Sequence, residues 1–163
     1  MIADLNSLKK EIDRLRKENP RIKIVTTNGS FDIFHSGHIQ TLEKAKSFGD
    51  VLIVLLNSDE SIKKFKGKKR PIVPERERAE LLSSLRFVDY VLIFNEDKPL
   101  GILSQIKPNI HVKGGSFVQE RIEEEKKLLA TWGGEFKTLS LIEGKSTTDI
   151  IKKIQSLGDK NAP

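Results

Sequence analysis

The amino-acid sequence predicts an α/β fold: a single domain with a parallel sheet of about five strands flanked by helices, plus an N-terminal helix. Short runs of β-branched and aliphatic residues alternate with amphipathic stretches, which is typical of a parallel sheet with helical crossovers. Several of these runs are apolar almost throughout, as strands buried on both faces require. The length of 163 residues suits one domain.

The predicted elements follow one another in order along the chain. Apolar residues recur at helical spacing behind Asp4, and Asn19-Pro20 ends the stretch, so residues 1–20 are predicted to form an amphipathic helix. The predicted strands span residues 22–27, 51–56, 90–94, 110–113 and 136–139. The predicted helices that separate and follow them span residues 38–48, 74–86, 99–106, 119–130 and 147–154. Residues 158–163 are expected to form a flexible tail.

The composition excludes several classes of protein. The chain has no Cys, which excludes disulfide scaffolds, thiolate zinc sites and cysteine nucleophiles. No apolar run reaches the roughly 18 residues of a membrane-spanning helix. Met1 leads into a charged stretch rather than a signal peptide, so we expect a cytoplasmic protein. Lys and Arg number 29 against 23 Asp and Glu, a net charge of +6, which favours an anionic partner.

The loop after the first predicted strand has the strongest chemical signal, because ligands of parallel α/β sheets bind beyond the carboxyl ends of the strands. This loop reads NGSFDIFHSGH and leads into a helix. Gly29 and Gly37 permit close backbone approach, and His35 and His38 stand near the helix N-terminus, where N–H groups and the dipole favour an anion. Two other interpretations stay open: ordinary polar loop residues, or a metal site built from Asp32 and the two histidines.

Three later segments also have residue types that suit phosphate binding. A dense group of cations follows the second strand and consists of Lys63, Lys64, Lys66, Lys68, Lys69 and Arg70. Lys113-Gly114-Gly115 follows a strand end, and Ser146-Thr147-Thr148 opens the last helix. A solvated loop, a plain turn and an ordinary helix cap are the respective alternatives. Leu139 stands where a Walker A loop would need Gly, so the sequence GKST near the last helix is not a P-loop.

The first loop and several later segments resemble a known superfamily. Gly29-Ser30-Phe31-Asp32 followed by His35-Ser36-Gly37-His38 resembles the GxFDxxHxGH signature of the cytidylyltransferase-like nucleotidyltransferases. The other segments that agree are Asn57-Ser58-Asp59, Lys66-Gly67, Arg70-Pro71, Val112 to Gly115 and Ser146 to Ile151. From about Lys23 to Ile154 the chain is similar to the adenylyltransferases that make ADP-heptose for lipopolysaccharide, in their stand-alone form. Ser116-Phe117 departs from the acidic and aromatic pair that this family usually has.

The resemblance implies a Rossmann-like nucleotidyltransferase domain over residues 21–157, between the N-terminal helix and the tail. The catalytic residues that it implies are His35, His38 and Lys66. The nucleotide-binding residues that it implies are Asn28, Gly29, Ser30, Phe31, Asp32, Gly37, Asn57, Asp59, Arg70, Arg78, Lys113, Gly114, Gly115, Ser146, Thr147 and Thr148. For Arg78 a surface helix charge is the alternative. His111 and Trp132 are interpreted as packing residues without a chemical role.

The implied reaction transfers AMP from ATP to a sugar 1-phosphate, D-glycero-D-manno-heptose 1-phosphate, and releases pyrophosphate. Mg²⁺ is expected to arrive with ATP rather than at a protein metal site. We expect a homodimer, with neither nucleic acid nor membrane as a partner. One alternative is a relative that uses CTP or ATP on another phosphorylated acceptor, such as glycerol 3-phosphate. The other is a basic nucleic-acid-binding module, which the sequence pI of about 9.5 favours.

Overall fold

A computed structural model of the chain contains a five-stranded sheet in which every neighbouring pair of strands is parallel. The structure describes residues 1–114, 119–139 and 147–158. The strands are β1 (Ile24–Gly29), β2 (Val51–Asn57), β3 (Tyr90–Phe94), β4 (Ile110–Gly114) and β5 (Glu135–Leu139). The helices are α1 (Leu5–Glu18), α2 (Ser36–Lys46), α3 (Asp59–Lys66), α4 (Glu75–Ser83), α5 (Leu100–Ile106), α6 (Gln119–Ala130) and α7 (Thr147–Gly158). The predicted fold class is confirmed.

The strand order determines where a ligand can bind. The order is β3-β2-β1-β4-β5, so the chain runs outward from β1 to β3 and then returns to add β4 on the other side of β1. This reversal creates a crevice above the carboxyl ends of β1 and β4, the place where open α/β sheets bind ligands. Asn28 and Gly29 end β1, and Lys113 and Gly114 end β4. Residues that are far apart in the sequence therefore meet at one end of the sheet.

Two apolar layers cover the two faces of the sheet. All seven residues of β2 are buried, as its unbroken apolar sequence predicts. One layer packs α2 and α4 against the sheet through residues such as Leu42 and Leu82. The other packs α1, α5 and α6 against the opposite face through residues such as Leu8, Leu103 and Leu129. Within the described ranges, no helix is long and apolar enough to cross a bilayer.

The N-terminal segment forms the predicted helix and also extends the sheet. The Asp4 carboxylate caps α1 by accepting from the backbone N–H groups of Asn6 and Ser7, at 2.9 and 3.0 Å. Ile2 lies beside Val91 in a short parallel bridge. Because β3 is an edge strand, the first residues cover part of its exposed hydrogen-bonding edge. The sequence pattern does not predict this bridge.

The cation-rich stretch after β2 differs from the solvated loop that the sequence leaves open, because its first part is α3. The Ser58 hydroxyl caps this helix by accepting from the Ser61 N–H at 3.1 Å. Ile62 is fully buried beneath the helix. Three lysines lie in the last turn, where cations interact favourably with the helix dipole: Lys63, Lys64 and Lys66. The fold therefore places part of the cation group on a helix that is anchored to the core.

Candidate active site

A histidine pair lies at the N-terminus of α2, directly above the carboxyl end of β1. His35 is the N-cap residue of α2, and its backbone N–H donates to His38 Nδ1 at 3.4 Å. The two imidazole rings stack with their centroids 3.8 Å apart. Because Nδ1 of His38 accepts a hydrogen bond, the neutral form of this ring carries its proton on Nε2.

The surroundings of His38 keep it neutral. Burial, followed by the charges of His35 and Lys66, lowers the pKa of His38 to about 4. The rings of Phe31 and Phe34 flank the imidazole, with centroids 5.2 and 5.3 Å away. Near pH 7, His38 therefore offers an N–H donor rather than a positive charge to an anion at the helix N-terminus.

The conformation of the loop between β1 and α2 depends on the close packing of Phe31 against Gly29. Phe31 has a φ of 43°, which is uncommon for a bulky residue. Its buried ring packs over Gly29, where a Cβ would lie only 3.0 Å from the ring. Gly37 in the first turn of α2 is also buried. The glycine and the aromatic residue of the motif therefore fit against each other and fix the course of the loop.

Asp32 holds the segment that follows α3. Its side chain is almost fully buried and pairs with Arg70, whose Nε donates to Oδ2 at 2.6 Å. Oδ1 accepts from the backbone N–H groups of Ile72 and Val73, at 2.8 and 2.9 Å. Both carboxylate oxygens are therefore engaged by residues 70–73, so Asp32 orients this segment, and its contact with the nucleotide stays a prediction. This arrangement also argues against the metal site built from Asp32 and the two histidines.

Lys66 connects the cation group with the histidine loop. Its Nζ donates to Ser30 Oγ at 2.9 Å. Burial lowers the pKa of Lys66, and the positive charges of Arg70 and Arg78 act in the same direction while Asp32 opposes them. An anion beside this ammonium would relieve the repulsion among the three cations. The structure therefore brings Lys66 to the same loop as His38, as the sequence predicts.

Arg78 is buried, so its interpretation as a surface helix charge is wrong. Only 2% of the residue is exposed. Its guanidinium donates to the backbone oxygens of Val73, Ser30 and Asn57 at 2.8, 2.6 and 2.9 Å, and to Asp59 Oδ1 at 2.7 Å. Four of its five N–H groups are thus engaged within the protein. Arg78 holds the ends of β1 and β2 and the start of α3 together.

Asn57 and Asp59, which are predicted nucleotide ligands, take part in the same arrangement. Asn57 Nδ2 donates to Ser61 Oγ at 3.0 Å in the interior of the protein. The backbone N–H of Asp59 donates to Glu75 Oε2 at 2.7 Å, while its carboxylate pairs with Arg78. These contacts order the start of α3, and through it the position of Lys66. A nucleotide contact by either side chain stays a prediction.

The ends of β4 and β1 are joined by Lys113. Its Nζ donates to Asn28 Oδ1 at 2.9 Å and to Glu125 Oε1 at 2.8 Å. Gly114 lies so close to α2 that a Cβ there would be 2.3 Å from Thr41 Cγ2, which is why only glycine fits. The predicted Lys-Gly segment therefore lies beside the first loop, across the crevice between β1 and β4.

The start of α7 reaches the histidine loop as well. Thr147 Oγ1 donates to the backbone oxygen of Ile33 at 3.3 Å. Thr148, the next residue of the predicted phosphate-binding segment, is exposed. Gly115 and Ser146 lie outside the described residues. The described part of the last segment thus contacts the loop that leads to the histidine pair, although it is more than 100 residues away in sequence.

Glu125 is a residue of this site that the sequence analysis missed. It is 2% exposed and contacts Lys113 from α6. Ile122 and Leu129, three residues before it and four after it, are both buried, so Glu125 lies on the apolar face of its helix. A carboxylate in the apolar stripe of a helix is the signal that could have identified it.

Comparison with protein families shows that the parallel sheet and the β1–α2 loop are those of a nucleotidyltransferase. Residues 26–153, which are most of the chain, match the family described as cytidylyltransferase-like. The chain belongs to this family, as the motif in the β1–α2 loop predicts. The basic nucleic-acid-binding module is therefore the wrong class.

The relatives of the chain include longer proteins. The "Bifunctional protein HldE" of Geobacter metallireducens is 48% identical over 132 residues, which are 81% of this chain and 27% of that protein. The protein of the same name from Helicobacter acinonychis is 48% identical over 133 residues, which are 82% of this chain and 28% of its own length. The chain therefore spans little more than a quarter of these relatives.

Two solved structures have a similar fold. The crystal structure of the lipopolysaccharide core biosynthesis protein from Thermoplasma volcanium has a TM-score of 0.62 and 30% sequence identity, covering 76% of this chain and 99% of that one. The pantoate-beta-alanine ligase from Francisella tularensis has a TM-score of 0.61 at 16% identity, covering 95% of this chain and 77% of that one. The ligase shows similarity of fold alone, and the two together agree with a Rossmann-like domain.

Proposed function

We propose that the chain transfers the adenylyl group of ATP to D-glycero-D-manno-heptose 1-phosphate and releases pyrophosphate. The observation that carries this proposal is the neutral N–H donor of His38 at the start of α2, in the same loop that Lys66 contacts. Phosphoryl oxygens are the ligands that such a helix terminus and ammonium group favour. The similarity to HldE proteins over four-fifths of the chain supports the heptose acceptor.

The proposed chemistry needs no general base. An oxygen of the sugar 1-phosphate attacks the α-phosphorus of ATP. The new P–O bond forms as the bond to the bridging oxygen breaks, and pyrophosphate leaves with that electron pair. Because the nucleophile is already anionic at neutral pH, catalysis consists of positioning the two phosphates and stabilising the charge that develops on them.

The residues of the site divide this task between them. We assign His35 and His38 to the phosphates, and Lys66 and Arg70 to the pyrophosphate side. The backbone amides of residues 28–31 and the hydroxyls of Thr147 and Thr148 would complete the cradle. Arg78, whose donors are mostly engaged within the protein, would act by holding Ser30 and Asn57 in place.

Mg²⁺ would enter with the triphosphate and neutralise part of its charge. Among the residues that the structure describes, no group of three or more His, Asp or Glu side chains is arranged to hold a metal ion. The Asp32 carboxylate is engaged by Arg70, and the Asp59 carboxylate by Arg78. Phosphate and water ligands therefore suit the ion at this site, and we assign it no protein ligand.

Pyrophosphate release identifies the substrates. The protein is incubated with Mg²⁺ and each of ATP, CTP, GTP and UTP, crossed with heptose 1-phosphate, glycerol 3-phosphate and other sugar phosphates. We expect release with ATP and heptose 1-phosphate, and a product with the mass of ADP-heptose. Release with CTP and glycerol 3-phosphate instead would show that the chain is a cytidylyltransferase for another acceptor.

Three further properties belong to this proposal. We propose that the protein acts in the cytoplasm and forms a homodimer, which size-exclusion chromatography with light scattering would detect. We also propose the division into an N-terminal helix over residues 1–20, a nucleotidyltransferase domain over 21–157 and a tail over 158–163. Limited proteolysis tests this division, with cleavage expected after the last helix before any within the sheet.

A further inference from the structure

A buried polar group lies behind the crevice, on the α6 side of β4. His111 in β4 is fully buried, and its Nδ1 lies 2.7 Å from Thr26 Oγ1 in β1. Its Nε2 lies 3.7 Å from Glu125 Oε2. The other oxygen of Glu125 accepts from Lys113 Nζ at 2.8 Å, and that ammonium also donates to Asn28 Oδ1 at 2.9 Å. Five side chains thus form a series of close contacts from the interior of the sheet to Asn28, the residue before the last in β1.

The tautomer of His111 follows from this geometry. Burial, followed by the charge of Lys113, lowers the pKa of His111 to about 3, so the ring is neutral near pH 7 and has one N–H. With the proton on Nδ1, the Nε2 lone pair would face the carboxylate of Glu125, which is unfavourable. With the proton on Nε2, the ring donates toward Glu125 while Nδ1 accepts from the Thr26 hydroxyl. The second tautomer is the one that this geometry favours.

The His111 and Glu125 contact can tighten. Among the described residues, His111 Nε2 and Glu125 Oε2 are buried and have no hydrogen-bond partner. A movement of less than about 1 Å would bring them to hydrogen-bond distance and satisfy both atoms. After that movement Glu125 would be held from two sides, by His111 and by Lys113.

Burying the ion pair of Lys113 and Glu125 costs desolvation free energy, and packing alone does not explain why the pair is present. Both side chains are largely buried, at 14% exposure for Lys113 and 2% for Glu125. Replacing such a pair by apolar residues is often neutral or stabilising. The apolar face of α6 would accept a hydrophobic residue at this position, so the pair is better explained by what it does at the crevice.

Lys113 fixes the direction of the Asn28 side chain. An ammonium group only donates hydrogen bonds, so the atom of Asn28 that faces it must be the carbonyl oxygen Oδ1. The other end of the amide, the Nδ2 group with its two N–H donors, then points away from Lys113. Asn28 is partly exposed at the carboxyl end of β1, so these donors are available at the crevice.

We propose that Glu125 is a positioning residue: held by His111, it fixes Lys113, which orients the Asn28 amide so that its Nδ2 donors face the nucleotide phosphates. This inference rests on the proposed nucleotide site. It gives His111 a role beyond packing, and it assigns no contact between Glu125 and the substrate.

A double-mutant cycle tests the proposal, with nucleotide affinity measured by calorimetry using ATP and Mg²⁺. Glu125→Gln keeps the size of the side chain and removes its charge. We expect it to weaken ATP binding about tenfold, as loss of one charge-assisted hydrogen bond would. In a Lys113→Met background the same substitution should change the affinity for ATP less than about twofold, because Lys113, through which Glu125 acts on Asn28, is already absent. The matched control is Glu124→Gln, on the same helix as Glu125. It removes a solvent-accessible ion pair with Lys98, and this variant should bind ATP as the wild type does.

Two results would overturn the proposal. The first is wild-type ATP affinity in Glu125→Gln, and the second is an equal loss in both backgrounds, which would show that Glu125 acts independently of Lys113. If Glu125→Gln does not fold, Asn28→Asp replaces it, because this variant keeps an oxygen for Lys113 and loses the Nδ2 donors. Its ATP affinity should fall about tenfold with an unchanged melting temperature. Full affinity would refute the series of contacts from Glu125 through Lys113 to Asn28.

The outcome is separate from that of the proposed function. If the wild type binds CTP in preference to ATP, the adenylyl-transfer proposal fails. The double-mutant cycle is then measured with CTP, since the contacts from Glu125 to Asn28 concern phosphates that both nucleotides share. A wild type that binds none of the four nucleotides would overturn both.

Discussion

At the scale of single residues, the chemistry of the site depends on hydrogen-bond partners that fix tautomers and amide directions. His38 is a neutral Nε2 donor because a backbone N–H occupies its Nδ1 and because burial lowers its pKa to about 4. Asp32 has both carboxylate oxygens engaged as acceptors, by Arg70 and by two backbone N–H groups. Each of these states follows from the neighbours of the residue and not from its type alone.

Replacement of His38 by Ala should lower kcat about 100-fold, corresponding to roughly 3 kcal/mol of barrier, because the transition state loses one donor to its phosphate. The rate of pyrophosphate release measures this loss, and the melting temperature shows whether the fold is kept. His38→Gln, which also has an N–H donor, should recover part of the rate. A folded His38→Ala protein with near-normal turnover would refute the role of the imidazole.

Replacement of Lys66 by Met should raise the KM for the nucleotide about tenfold, with a smaller effect on kcat, because the ammonium binds phosphate charge before and during the reaction. The matched control is Lys64→Met on the same helix. Lys64 is exposed and pairs with Glu60 at 3.0 Å, so its loss should leave both constants unchanged. Equal effects of the two substitutions would show that only the overall charge of the stretch matters.

The residues of the motif could be predicted from the sequence, whereas the supporting roles of the buried charged residues could not. His35, His38 and Lys66 stand in patterns whose spacing has chemical meaning. Arg78 and Glu125 act through burial, which depends on which helix faces pack inward. For Glu125 the pattern of buried Ile122 and Leu129 contained the signal, but a charged residue in a Glu-rich stretch is usually solvated.

At the scale of elements, the site is assembled by the packing of α2 and α3 on the sheet. The close contact of α2 with β4 is made possible by Gly114, and α3 is capped by Ser58 and anchored by Ile62. The sequence predicts most elements within a few residues, because apolar runs and helix caps are local signals. It left α3 open as a loop, because six cations in a short stretch obscured its single buried Ile.

Replacement of Gly114 by Ala should destabilise the protein by about 1–3 kcal/mol, because the new Cβ would overlap Thr41 Cγ2. Thr41→Ser removes that methyl group, so the double variant Gly114→Ala with Thr41→Ser should recover most of the loss. Urea unfolding of the two single variants and the double variant measures the effect. If the losses simply add, the contact between α2 and β4 is not what requires glycine.

At the scale of the whole molecule, the strand order brings four separate segments of the chain to one end of the sheet. The β1–α2 loop is contacted by Lys66 from α3 and by Thr147 from α7, while Lys113 from β4 contacts Asn28. The sequence predicts that these segments follow strands or open helices. It does not specify which strands are neighbours, because that order depends on long-range packing.

The stability of the whole molecule should depend on pH through the buried His111 and the partly buried His38. The pKa of His111 is lowered to about 3 and that of His38 to about 4, both below the ordinary value of 6.5. At pH values between these lowered pKa values and about 6.5, the histidines of the unfolded chain bind protons that the folded protein does not bind. The free energy of unfolding should therefore fall as the pH decreases from about 6.5.

Urea unfolding between pH 4.5 and 7.5 measures this dependence. His111→Asn should reduce the slope by up to about 1.4 kcal/mol per pH unit, which corresponds to one proton. The comparison is with the wild type in the same buffers, so that titration of surface carboxylates cancels. An unchanged slope in the variant would mean that His111 titrates alike in the folded and unfolded states.

The most direct test of the account is a crystal structure of the protein with ATP and Mg²⁺. It should show the triphosphate above the carboxyl ends of β1 and β4, with His38 Nε2 and Lys66 Nζ within about 3.2 Å of phosphate oxygens. The start of α7 should lie on the other side of the same phosphates. A nucleotide bound elsewhere, with both side chains remote from its phosphates, would contradict the assignment of this site.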